Sequence, residues 1–396
     1  MPSSFARPVR AVRLQFFISG FLFATWGVHV PTVRRHYGLD EQALALTMLA
    51  AGVGALCGLA FAGRWVGRFG PQRVALLTGT VAALALAALL ASASWPVLLL
   101  TMGVFGLAGS VFDVAMNAGG SALEHASGRS LMSRFHALFS FGGMAGAAFG
   151  SAWLGLDAPP TAHLAAVALA ACAALWCHAA RVSLPLPPAQ DASAAGREAP
   201  GAARGVLWTL GLLAALGLVA EGAMYDWSVL YLESELGSAP ALAALGYASF
   251  SVAMGLARLV GDWARSRWPA HRLMTASALL AACGMAVALL GRHPVLALAC
   301  FALVGLGLAN VIPVLFSAAS RLPGISAAHG IAAVSSVGYV GFMAGPPVIG
   351  FIAQRSSLTA GLFTVVVFSL LLAMAGGRTL RPRAVPGRCA GCPAQG

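Results

Sequence analysis

Asp113 and Asn117 stand one helical turn apart in SVFDVAMNAGG (110–120), directly after the apolar run VLLLTMGVFGLAG. An intramembrane carboxylate costs about 2.5–3.5 kcal/mol on insertion scales, so an acid in such a run points to chemistry that uses its charge. A carboxyl that takes up a proton can be carried through a closed, apolar state; one that stays ionised can orient a polar solute. Glu221 and Asp226 are the other two of the 12 acids that fall inside apolar runs. Glu221 sits about 15 residues into its run, roughly 22 Å from the start at the helical rise. Tyr225 and Ser228 continue its face at i+4 and i+7. Asp226 is displaced by about 140° around the same helix. With Trp227 beside it, Asp226 also reads as an interfacial anchor, which is the commoner meaning of such a pair.

Four neutral or aromatic candidates join these acids. His136 and Ser140 share a helix face, and an imidazole titrates in the working pH range. Asn310 precedes Pro313 in an apolar run, where proline frees a backbone carbonyl and kinks the helix. Trp26 is a further candidate contact, although a buried aromatic also serves packing. Glycines at 142, 146 and 150, and at 341 and 345, form stripes of spacing four. Such stripes let helices approach closely, and they read as packing surfaces rather than ligand contacts.

These residues need a membrane to hold them. The chain has 396 residues, a mean hydropathy of +0.83 and 9% charged residues. A soluble domain carries roughly 25%. Twelve stretches are long and apolar enough to span, near 12–32, 42–62, 74–94, 97–117, 135–156, 162–181, 206–232, 241–260, 273–291, 295–317, 331–352 and 359–377. All are expected to be helices, because lipid offers the backbone no hydrogen-bond partner. The first run follows Arg7, Arg10 and Arg13 but is long for a signal peptide and lacks an A-x-A site; it reads as an uncleaved span. With the N-terminus placed in the cytoplasm, 20 of the 24 arginines fall on the cytoplasmic face, leaving Arg34, Arg35, Arg292 and Arg355 outside. The positive-inside rule therefore puts both termini in the cytoplasm.

The chain also repeats. GGMAG (142–146) matches GFMAG (341–345), and Gly106/Gly305 and Ser121/Ser320 share the same offset of 199. In the loops, GRWVGRFGPQR (63–73) parallels GDWARSRWPAHR (261–272), with Gly63/Gly261, Trp65/Trp263 and Pro71/Pro269 all 198 apart. The Pro-, Ala- and Gly-rich stretch between the repeats reads as a linker. The expected division is a six-helix half at 1–184, a cytoplasmic linker at 185–205, a second half at 206–380 and a tail at 381–396. Parallel halves place a solute site at their interface near mid-membrane.

Twelve spans, a 6+6 repeat and a basic loop after span two together resemble the major facilitator superfamily over essentially the whole chain. The family's loop pattern appears as Gly63, Gly67, Arg68, Gly70 and Arg73, with Gly67 where the family has Asp. The second copy keeps Asp262, with Arg258 one turn before it, in position for an i,i+4 ion pair. The resemblance implies gating roles for Gly63, Arg68, Gly70, Arg73, Arg258 and Asp262. FDVAMNAGGSALE followed by GRSLMSRFHALFSFGG further resembles the fucose-permease-like branch. That implies Asp113 as the proton carrier, Asn117 and His136 as polar cavity residues, and Ser140 in the branch's Ser-Phe-Gly. It also implies a sugar-like solute. The branch's span-one carboxylate has no counterpart, since His29 is the only ionisable residue in GFLFATWGVHVP (20–31).

Other functions find little support. The net charge of +12 matches cytoplasmic arginine bias better than nucleic-acid binding. No G-x-x-x-x-G-K-[ST] occurs, so no ATP site is expected. Cys389 and Cys392 form a C-x-x-C without further ligands nearby, so no metal or cofactor is expected. The expectation is an all-α membrane protein, not an enzyme, acting as a monomer in a bacterial inner membrane. It would import a small polar solute with protons, Asp113 and Glu221 coupling, and Asn117, His136, Ser140, Tyr225, Asp226, Asn310 and Trp26 binding. Export by proton antiport is the alternative, and it predicts a wide, mainly apolar cavity.

Overall fold

The computed structural model describes residues 3–127, 131–178, 201–319, 321–322 and 327–381. The linker around 185–200 and most of the tail, including Cys389 and Cys392, lie outside the described residues. The described chain is helical, and twelve helices are long and apolar enough to cross a membrane. They run Ala6–Tyr37, Glu41–Phe69, Pro71–Leu90, Trp95–Glu124, Arg134–Gly155, Pro160–Cys177, Arg204–Ser234, Pro240–Gly261, Ala270–Gly291, Pro294–Ala319, Ala333–Arg355 and Leu358–Thr379, and are called spans one to twelve below. Each overlaps an expected stretch, and most are longer, because helix continues into polar ends that hydropathy alone does not count.

Local chemistry sets the breaks. Gly70 turns the chain between spans two and three at φ 80°, a conformation glycine adopts without strain. Asp40 caps span two by accepting from the Ala43 amide, and Ser357 caps span twelve through the Ala360 amide. Span ten is not one helix. It stops at Leu308 and resumes at Val311. Pro313 has no N–H to offer the carbonyl of Ala309, four residues earlier, so the ladder opens there.

The repeat seen in the sequence recurs in the packing. A Cβ added at Gly106 of span four would strike the Ala51 carbonyl of span two, and one at Gly305 of span ten would strike the Phe250 carbonyl of span eight. Gly142 of span five sits on the Phe17 backbone of span one, and Gly341 of span eleven sits on Ala215 of span seven. Equivalent glycines thus seat equivalent helices in two pseudo-symmetric six-helix halves. The glycine stripes are packing surfaces, as expected.

The halves meet along two seams. Spans five and eight touch along their length, from Ser151 Oγ donating to the Ala241 carbonyl (2.7 Å) to Arg258 beside Ser140. Spans two and eleven touch only over part of theirs. A Cβ at Gly52 would lie 2.7 Å from Met343, and one at Gly350 2.9 Å from the Glu41 carbonyl. At Gly63 and Gly67, nearer the termini, nothing lies within 4 Å. Arg35 of span one also pairs with Glu233 of span seven at the end away from the termini. The bundle is therefore closed at that end and parted toward the end that carries both termini.

Candidate transport site

Between the halves lies a cavity of about 380 Å³. Asp113 enters it from span four, and Glu221, Tyr225 and Asp226 enter it from span seven. Trp26 comes from span one, Tyr247 from span eight and Tyr339 from span eleven. The remaining wall is mostly apolar, with Phe23, Phe105, Phe139, Phe316 and Phe342 among its rings. No Asn, Gln, His or Arg lines it among the described residues.

Asn117 acts on Asp113 rather than on the cavity. Its Nδ2 donates to Asp113 Oδ1 (3.1 Å) and to the Asp113 carbonyl (2.9 Å). The i,i+4 spacing brings the amide under the carboxyl and fixes its rotamer. Asp113 makes no ion pair among the described residues, and Tyr339 from the other half is an electrostatic neighbour.

Glu221 has a different environment. Arg258 Nη2 donates to Glu221 Oε1 at 3.1 Å, and the Tyr225 hydroxyl donates to the same oxygen at 3.3 Å. Arg258 Nη1 also reaches Ser140 Oγ, at 3.5 Å, on span five. The sequence reading paired Arg258 with Asp262 as a gate. In the structure Arg258 reaches span seven, where the low-dielectric interior rewards pairing with the Glu221 carboxylate. The Asp262 side chain lies outside the described residues.

Asp226 faces the cavity, not the outer interface. Trp26 and Tyr247 are its neighbours in the cavity wall. The Tyr225 and Tyr247 rings lie 5.1 Å apart, and Tyr225 also meets Phe250 edge-on at 5.1 Å.

Of the expected site residues, the cavity thus gathers Asp113, Glu221, Tyr225, Asp226 and Trp26. It does not gather Asn117, His136, Ser140 or Asn310. His136 stands edge-on to Phe16 at 5.2 Å. Asn310 is buried at the break in span ten, with its Oδ1 only 2.7 Å from where a Cβ at Gly261 would sit. Of the expected gate, Gly63, Arg68 and Arg73 are exposed at the parted end, and Gly70 makes the turn. Sequence reading missed Tyr247 and Tyr339. Its solute-binding candidates lay on spans one, four, five, seven and ten, whereas spans eight and eleven supply these rings. Their signal was a tyrosine in an apolar run, a weak one.

The sequence model of the Major Facilitator Superfamily matches residues 14–329. An uncharacterised transporter of this type from Yersinia pestis is 36% identical over 372 residues, spanning 93% of this chain and 95% of that one. The membrane protein MosC of Rhizobium meliloti is 31% identical over 369 residues, spanning 93% and 89%. The chain belongs to the major facilitator superfamily, and the fold and central cavity are those of a transporter. Among solved structures, an inward-facing, unoccupied bacterial homologue of the human lysosomal transporter Spinster superimposes with a TM-score of 0.77 at 14% identity, covering 96% of this chain and 98% of that one. A D-xylose–proton symporter gives 0.74 at 14% identity, covering 93% and 97%. The Escherichia coli fucose:proton symporter gives 0.61 at 14% identity, covering 96% and 100%. At these identities the likeness shows the fold.

Proposed function

We propose that this transporter is a proton-coupled symporter that moves a small solute through the central cavity by alternating access. The observation that carries the reading is Asp113, a carboxyl in the cavity wall held by Asn117 and free of any ion pair among the described residues. A group so placed can take a proton in one state and lose it in the other. Glu221, tied to Arg258 and through it to span five, links the occupancy of the cavity to the contact between halves. Trp26, Tyr225 and Asp226 contact the solute. Asn117 and Ser140 support the site by positioning Asp113 and Arg258. His136 and Asn310 stand outside the wall and act on the solute only in another state of the cycle. Gly63, Arg68, Gly70, Arg73 and Asp262 serve the end that closes when the cavity turns outward.

The protein sits in a bacterial inner membrane with both termini in the cytoplasm, so the parted end described above faces inward. It acts as a monomer, with protons, solute and lipid as its partners and no nucleic acid. Proton-antiport export is the second reading, and the mainly apolar wall favours it. Solute-evoked charge movement in proteoliposomes separates the two. An inward current with solute, lost in Asp113→Asn, supports symport. Dye-driven proton exchange without such a current moves the assignment to export.

A further inference from the structure

Asp226 stands in aromatic surroundings. Trp26 from span one and Tyr247 from span eight are its neighbours in the wall, and the Tyr225 ring lies tilted at 5.1 Å from that of Tyr247. All four side chains line the cavity. Glu221 has its cation in Arg258, but Asp226 has none among the described residues. Buried charges are otherwise paired, so a carboxylate in an aromatic wall with no protein cation is built to receive one. Aromatic faces attract ammonium groups by their quadrupole, most strongly for Trp. From Trp26, Tyr225, Tyr247 and Asp226 we infer that the solute is an amphipathic organic amine, its ammonium at Asp226 and its apolar body along the phenylalanines.

The inference rests on the transport reading above and departs from the sugar-like solute that the sequence resemblance implied. A sugar presents many hydroxyls, each of which needs a partner once desolvated. Sites that discriminate sugars would draw on amide, imidazole or guanidinium groups, and none lines this wall among the described residues. The five phenylalanines would instead suit an apolar ring or chain. The division of labour also bears on direction. If the amine occupies Asp226 while the proton occupies Asp113, both ride together. If the two compete for one carboxylate, they exchange.

The test is equilibrium binding to the purified full-length protein in nanodiscs, with four probes of one shape. These are 2-phenylethylamine, its trimethylammonium analogue, 2-phenylethanol and 3-phenylpropionate, with fucose as a fifth. The amine and its quaternary analogue are expected to bind at least tenfold more tightly than the alcohol. Asp226→Asn is expected to erase that preference, bringing the amine and the alcohol to the same affinity. Trp26→Phe is expected to weaken the quaternary analogue several-fold. Equal binding of amine and alcohol to the unmodified protein would overturn the inference, as would tighter binding of the carboxylate or of fucose. That comparison holds even if the variants fail to fold. The outcomes separate from those of the transport reading. Amine binding without proton-linked flux would sink the symport alone, and proton-linked uptake of fucose without amine binding would sink the amine alone.

Discussion

At the residue scale, two acids in one cavity have opposite company. Asp113 is held by a neutral amide, and Glu221 is held by an arginine. That difference predicts different mutants. Asp113→Asn keeps the hydrogen-bonding shape and is expected to fold and bind solute normally. Proton-driven accumulation is expected to vanish, while exchange of labelled for unlabelled solute persists. Normal accumulation by this variant would remove Asp113 from coupling. The Glu221–Arg258 pair is structural as well as functional. Removing one partner of a buried pair costs about 3–5 kcal/mol, because the other charge is left without compensation. Arg258→Met should therefore lower thermal stability strongly in detergent melts. The double change Glu221→Gln with Arg258→Met should recover most of it. Equal stability of the single and double variants would show that the pair contributes nothing to folding.

At the element scale, glycine decides how close helices come. Gly142 lies against the Phe17 backbone, so any side chain there pushes spans one and five apart. Gly67 meets nothing within 4 Å, although it sits in the loop motif shared by the family. Gly142→Val is expected to cost about 1–3 kcal/mol by overpacking, and Gly67→Ala to stay within about 1 kcal/mol. Parallel thermal melts of the two variants check this. If they melt alike, the close approach of spans one and five is not a constraint. Spans two and eleven differ from spans five and eight: one seam is in contact over part of its length and the other throughout. This follows from where side chains interlock. Met343 fills the space over Gly52, and nothing fills the space over Gly63.

At the scale of the whole molecule, the state seen here is closed away from the termini by Arg35–Glu233 and by the upper contact of spans two and eleven. A Cβ at Gly52 would lie 3.6 Å from the Met343 Cβ, within the range that a disulfide spans. Gly52→Cys with Met343→Cys, in a background without the native cysteines, is expected to cross-link on oxidation. Transport should then stop, because the far end can no longer open, and reduction should restore it. Unimpaired transport by the fully cross-linked protein would mean that these spans need not separate. In the same locked protein, a cysteine at Leu59 on the cavity wall is expected to react with an impermeant reagent only from the side of the termini.

The sequence by itself determined the large-scale answer. Hydropathy gave twelve helices because lipid leaves a backbone no alternative, and near-constant offsets gave two halves because a duplicated fold keeps its spacing. It also found the acids, since a charge in an apolar run stands out whatever its neighbours are. Helical spacing correctly joined Asp113 to Asn117 and Glu221 to Tyr225, contacts made within one helix. Tertiary structure alone decided the rest. It brought Arg258 to Glu221 on another helix, a contact that no spacing within span eight records. It put Asp226, read from sequence both as an anchor and as a solute contact, on the cavity wall. It left His136 and Asn310 off the wall and brought Tyr247 and Tyr339 onto it. The physical reason is rotation. A helix fixes which residues share a face, but which face looks inward depends on how each span packs against its neighbours, and no spacing within one span records that.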